Sequence, residues 1–91
     1  MTTPTVLIVD DEPDIRELLE ITLSRMNLVT LSAGDLASAR TLLENHALQL
    51  CLTDMRLPDG DGIDLVKEIQ VKYPQLPVAV ITAHGSTEAA I

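Results

Sequence analysis

A chain of 91 residues, 46% apolar and 22% charged, is a single small soluble domain, and this balance excludes a disordered segment. It has no Trp, no Phe and one aromatic, Tyr73, so any core is aliphatic. A net charge of −8, with six scattered basic residues, excludes direct nucleic-acid binding, which needs clustered Lys and Arg, and favours metal cations or basic partners.

The elements follow in chain order. Met1-Thr2-Thr3-Pro4 carries neither the basic nor the apolar region of a signal peptide, and no apolar run approaches a membrane span. The expected location is therefore the cytoplasm. Val6-Leu7-Ile8-Val9 is a continuous β-rich run stopped by Asp10-Asp11, the pattern of a strand buried on both faces of a parallel sheet. From Pro13 to Met26, Ile15, Leu18, Leu19, Thr22 or Leu23, and Met26 recur at helical spacing, with Pro13 suited to the first helical position. Leu28 to Leu31 is a second strand. Asp35 then caps a helix whose apolar side carries Leu36, Ala39, Leu42 and Leu43.

Leu48 to Thr53 is a third strand running into Asp54. Within it, Cys51 is a small core side chain, and as the only cysteine it rules out an intrachain disulfide. His46 precedes this strand as a surface residue near a helix C-terminus. The turn-rich stretch Leu57-Pro58-Asp59-Gly60-Asp61 leads to a third helix with Gly62, Leu65, Val66, Ile69 and Tyr73 on one side. Val78-Ala79-Val80-Ile81 is a fourth strand, covered on both faces, and Ser86 can cap a helix begun near the end of the sequence. This β-α-β-α-β-α-β order predicts an open parallel α/β sheet with right-handed crossovers.

In such sheets ligands bind beyond the carboxyl ends of the strands, near the point where strand order reverses. The first strand ends in Asp10 and Asp11, the third in Asp54 and the fourth in Thr82. Each aspartate alone reads as a cap or turn residue. If strands one and three are neighbours, all three converge, and at ~5 Å and an effective dielectric of ~20 each close pair repels by about 3 kcal/mol. A hard divalent cation relieves that repulsion, and Mg²⁺ characteristically combines one or two carboxylates with a phosphate. A carboxylate beside such a cation can accept a phosphoryl group.

Three ordered blocks carry a family resemblance: Val6-Leu7-Ile8-Val9-Asp10-Asp11-Glu12-Pro13, Leu52-Thr53-Asp54-Met55-Arg56-Leu57-Pro58-Asp59-Gly60-Asp61-Gly62, and Val80-Ile81-Thr82-Ala83-His84-Gly85. Together they closely resemble response-regulator receiver domains, nearest to those of the NtrC class. The resemblance implies a flavodoxin-like sheet, here of order 2-1-3-4. It implies that Asp54 accepts a phosphoryl group from a histidine kinase in a Mg²⁺-dependent reaction that switches a transcriptional output. Asp11, Asp54 and the Arg56 backbone carbonyl would hold Mg²⁺, with Asp10 acting mainly through water and charge. Thr82 would be the switch hydroxyl, and Pro58 and Gly62 would shape the loop after the phosphoacceptor. His84 sits where the family often carries a bulky residue, and it reads here as an exposed loop side chain.

The implied domain is a switch rather than an enzyme, although a full-length receiver can catalyse its own phosphotransfer and dephosphorylation. An ATPase and DNA-binding output segment would follow it. The family pattern continues through a fourth helix, a fifth strand ending in a Lys, and a fifth helix, whereas this sequence stops at Ile91. Residues 1–91 are thus expected to be the front part of a receiver, self-associating through the exposed edge of the fourth strand. Lys67 and Lys72 fall on the third helix and do not supply the missing Lys.

Two other readings compete. A haloacid-dehalogenase-type phosphohydrolase needs a second Asp two residues beyond the nucleophile, where this chain has Arg56. An unphosphorylated interaction module suits the missing Lys, but not the intact Asp10, Asp11, Asp54 and Thr82.

Overall fold

The computed structural model describes residues 3–81. Its elements in order are β1 (Thr5–Val9), α1 (Pro13–Ser24), β2 (Val29–Ala33), α2 (Leu36–Asn45), β3 (Leu50–Asp54), β4 (Arg56–Leu57), β5 (Gly60–Asp61), α3 (Gly62–Lys72) and β6 (Val78–Ile81). The expected open α/β fold is present, with a parallel sheet of order β2-β1-β3-β6. The strand anticipated as the fourth is β6, because the turn after Asp54 forms a small antiparallel ladder of its own, β4 with β5.

Side chains alternate between the two faces of the sheet. Leu7 and Val9 of β1, Ala33 of β2 and Cys51 of β3 form one buried cluster with Leu36, Ala39 and Leu43 of α2 and Leu65 and Ile69 of α3. Val6 and Ile8 point to the opposite face and are equally buried. Ser32, in register with Ile8, donates its hydroxyl to the Glu20 carboxylate, which places α1 over that second face.

The helical periodicity of α1 is real, but its apolar side is only partly used. Ile15, Leu19 and Leu23, spaced four apart, are half-buried, whereas Leu18 is 60% and Met26 62% exposed. The helix ends at Ser24, short of the expected Met26, because Asn27 adopts a left-handed φ of 64°. The Leu28 N–H then donates to the Leu23 carbonyl (3.1 Å) and the Asn27 N–H to the Ser24 carbonyl (3.0 Å), a paired closure of the last turn. Strands β2 and β3 are displaced toward the C-terminus relative to expectation, so Asp54 is the last residue of β3 rather than the first beyond it. In β6, Ala79 is exposed and its neighbours are half-buried, so the apolar run does not correspond to full coverage among the described residues.

Candidate functional site

The sheet register brings the acidic strand ends together. Val9 pairs with Thr53, so Asp10 and Asp54 leave adjacent strands side by side. Asp10 is held by its backbone on two sides. Its N–H donates to the Ala33 carbonyl at 3.0 Å, and its own carbonyl accepts from Arg16 Nη1 at 2.7 Å. Its Oδ1 accepts the Glu12 N–H at 2.9 Å, an Asx turn that leads into Pro13 and α1. On β3, Asp54 Oδ1 accepts the N–H of Met55 at 2.7 Å.

Each of Asp10, Asp11 and Asp54 offers a carboxylate oxygen, and these atoms lie within 4.8 Å of one another. Asp10 is fully buried and Asp54 is 1% exposed, while Asp11 opens to solvent. Burial pushes the Asp10 carboxyl above its ordinary range. The Glu12 N–H opposes that shift, and the charges of Asp54, Asp11 and Glu12 reinforce it. Asp10 Oδ2 is buried with no hydrogen-bond partner among the described residues. A buried acceptor without a donor is costly unless something else satisfies it. An all-oxygen set, two members buried and one open to solvent, with an orphaned oxygen, fits a hard divalent cation such as Mg²⁺.

Beyond Asp54 the chain turns through a hairpin with Arg56 paired to Asp61 and Leu57 to Gly60. Arg56, whose backbone carbonyl the resemblance assigns to the metal, therefore opens this hairpin two residues after Asp54. The Gly62 N–H closes the loop onto the Met55 carbonyl at 2.8 Å. A Cβ on Gly62 would overlap the Asp54 carbonyl oxygen, so the close return of the chain needs glycine. Thr82, His84 and Ser86 lie outside the described residues. Ile81, the last described residue, pairs with Asp54 in the β3–β6 ladder.

Two functional neighbours escaped the sequence reading. Asp59, taken for a turn residue, accepts the N–H groups of Leu36 (2.8 Å) and Ala37 (3.1 Å) at the start of α2. No local signal marks a bond across 23 residues. Arg16 drew no assignment from the sequence, and only the packed loop shows its guanidinium donating to the Asp10 carbonyl. Three further sequence readings hold. Cys51 is buried, and burial pushes its thiol up to about 12. His46 is exposed at the α2 C-terminus, and Lys67 and Lys72 are on α3.

Among the described residues no helix is long and apolar enough to cross a membrane. The family model of the response regulator receiver domain matches residues 6–91. The chain is 63% identical over 91 residues to the response regulator protein PilR of Pseudomonas aeruginosa, a match covering all of this chain and 20% of that protein. It is 35% identical over 86 residues to the DNA-binding transcriptional regulator NtrC of Escherichia coli, covering 94% of this chain and 18% of that protein. The chain thus spans about a fifth of the length of these curated relatives. The crystal structure of the response regulator TrrA from Thermotoga maritima in complex with Mg²⁺-BeF matches with a TM-score of 0.86 at 28% identity, covering 91% of this chain and 72% of that one. With its fold, its acidic strand ends and a family match over nearly its whole length, the chain belongs to the response regulator receiver domains.

Proposed function

We propose that Asp54 is the phosphoacceptor of this receiver and takes its phosphoryl group from a histidine kinase. The observation that carries the reading is the meeting of Asp10, Asp11 and Asp54 within 4.8 Å, with one buried carboxylate oxygen left unpartnered. An Asp54 oxygen attacks the phosphorus of a phosphohistidine. The new P–O bond forms as the P–N bond breaks, and the imidazole leaves. Met55 N–H, donating to Oδ1, holds the carboxylate in its rotamer and leaves Oδ2 as the nucleophile.

Asp11, Asp54 and the Arg56 carbonyl are the residues that would hold Mg²⁺, with Asp10 contributing its charge. Bound there, the cation supplies charge neutralisation to the transferring group. Thr82 donates its hydroxyl to the phosphorylated Asp54, and that reorientation is the switch. Residues 1–91 are receiver sequence throughout and work in the cytoplasm as a switch rather than as an enzyme. The relative named as a DNA-binding transcriptional regulator supports a DNA-binding output driven by this domain, and the family resemblance adds an ATPase segment to it. The receiver itself, at a net charge of −8, has the wrong overall sign for binding DNA directly.

Labelling decides the matter. The receiver is extended through a fifth strand bearing the Lys that the resemblance assigns to the phosphoryl group. It is then incubated with a phosphorylated histidine kinase and Mg²⁺. Mass spectrometry is expected to find a base-labile phosphoryl group on Asp54, absent from Asp54→Asn and from Mg²⁺-free samples. Equal labelling of Asp54→Asn overturns the assignment. Thr82→Ala is expected to keep the label and lose the coupling to output.

A further inference from the structure

The hairpin after the phosphoacceptor is fixed at its outer end by one side chain. Along residues 56–61 only Leu57 is buried, and Arg56, Pro58, Asp59, Gly60 and Asp61 are exposed. Such a segment has little packing to hold it. Yet its Asp59 carboxylate spans two consecutive amides of α2, Oδ1 on Leu36 N–H at 2.8 Å and Oδ2 on Ala37 N–H at 3.1 Å.

These bonds complete the start of α2. An α-helix leaves its first N–H groups without intrahelical partners. Asp35 Oδ1 takes the Ser38 N–H at 2.7 Å, and the Asp35 carbonyl takes that of Ala39 at 3.1 Å. The Leu36 and Ala37 donors remain, and Asp59 satisfies both from another element. Its negative charge also suits the positive end of the helix dipole. The approach is close: Gly60 has a φ of +152°, and a Cβ there would lie 2.6 Å from Leu36 Cδ1. A side chain at residue 60 would have to displace the tip of Leu36, on a backbone conformation that already favours glycine.

The inner end of the same hairpin is the site. Arg56 follows Asp54 by two residues, and Gly62 is folded against the Asp54 carbonyl. The segment therefore runs between two anchors, Asp54 at one end and the α2 N-terminus at the other. We propose that Asp59 is a positioning residue for the cation site: by clamping the hairpin to α2 it holds the Arg56 carbonyl at the carboxylate cluster. This rests on the reading of Asp11, Asp54 and the Arg56 carbonyl as the metal-holding set. Asp59 touches neither metal nor phosphoryl group and acts only through backbone placement.

The test is Mg²⁺ affinity, titrated by amide NMR on the 91-residue chain at a temperature where circular dichroism shows each variant folded. Asp59→Ala is expected to weaken Mg²⁺ binding about tenfold, the low end of the range for groups that support metal ligands indirectly. Asp35→Ala removes a cap from the same helix without touching the hairpin, and is expected to lower stability while leaving Mg²⁺ affinity unchanged. Asp59→Asn, which keeps one acceptor oxygen, is expected to fall between, and is measured by the same criterion if Asp59→Ala does not fold. Asp59 variants that bind Mg²⁺ within about twofold of the native chain, while Asp11→Asn binds far more weakly, overturn the positioning role and leave the site reading intact. Equal Mg²⁺ affinity in the native chain and Asp11→Asn overturns the site reading itself, and this role with it.

Discussion

At the scale of single residues, the site depends as much on an absent side chain as on the carboxylates. Gly62 follows the hairpin and lies so close to Asp54 that a methyl group would meet the backbone carbonyl, which cannot swing aside as a side-chain tip can. Gly62→Ala is expected to lower stability by about 3 kcal/mol or more in urea unfolding, at the upper end for overpacking. A loss under about 0.5 kcal/mol, as for an ordinary surface change, would show that the loop shifts freely. The three aspartates were legible in the sequence because strand ends announce themselves: an apolar run stops and an acidic residue follows. Arg16 and Asp59 were not, because what they do depends on where a remote backbone group arrives. The Arg16 guanidinium meets a carbonyl six positions away, and the Asp59 carboxylate meets amides 22 and 23 positions away. Neither spacing has a local sequence signature, and both side chains are of types that usually sit solvated.

Among the elements, existence and type were readable while ends and exposure were not. The period of apolar residues placed α1, but its end is set by the left-handed Asn27, a weaker stop signal than glycine. The Asp35 cap of α2 was visible beforehand, whereas its second cap belongs to the far hairpin. That shared cap makes the α2 N-terminus sensitive to acid. The Leu36 N–H, with that of Ala37 and the charge of Arg40, holds the Asp59 carboxyl below the usual carboxylate range. A carboxylate whose folded pKa is depressed adds stability that is fully present above its unfolded pKa, about 4. That contribution is lost as pH falls through the lower, folded value. The stability gap between the native chain and Asp59→Asn is therefore expected to be constant near neutrality and to close below about pH 4. Chemical denaturation at a series of pH values measures it. A gap that widens on acidification would contradict the assigned bonds.

For the whole molecule, charge and strand edges decide behaviour. Three carboxylates within 4.8 Å, in a chain of net charge −8, work against the folded state until a cation binds. Mg²⁺ at a hundred times its dissociation constant is expected to add about 2.7 kcal/mol. For a domain of this size that raises the melting temperature by roughly 10–20 °C. Identical melts of the native chain and Asp54→Asn, with and without Mg²⁺, would count against the site. The remaining question is association. Strand β6 pairs with β3 along one edge, and among the described residues no strand covers the other. Among the described residues, the outer edge of Val78, Ala79, Val80 and Ile81 has no ladder partner for its N–H and C=O groups, the kind of edge that pairs with another chain. On α1 and β2, Ile21 at 48% and Val29 at 46% exposure add apolar surface. Charge repulsion opposes contact between copies, so association should strengthen as salt screens it. We propose that the 91-residue chain pairs through the β6 edge. Light scattering coupled to size exclusion at micromolar concentration is expected to give a mass that rises with protein and with salt. Ala79→Lys sets a charge on an exposed position of that strand, a device that natural edge strands use against pairing, and is expected to restore the monomer. A native chain that stays monomeric and melts cooperatively would show that the outer edge of β6 is not a pairing surface.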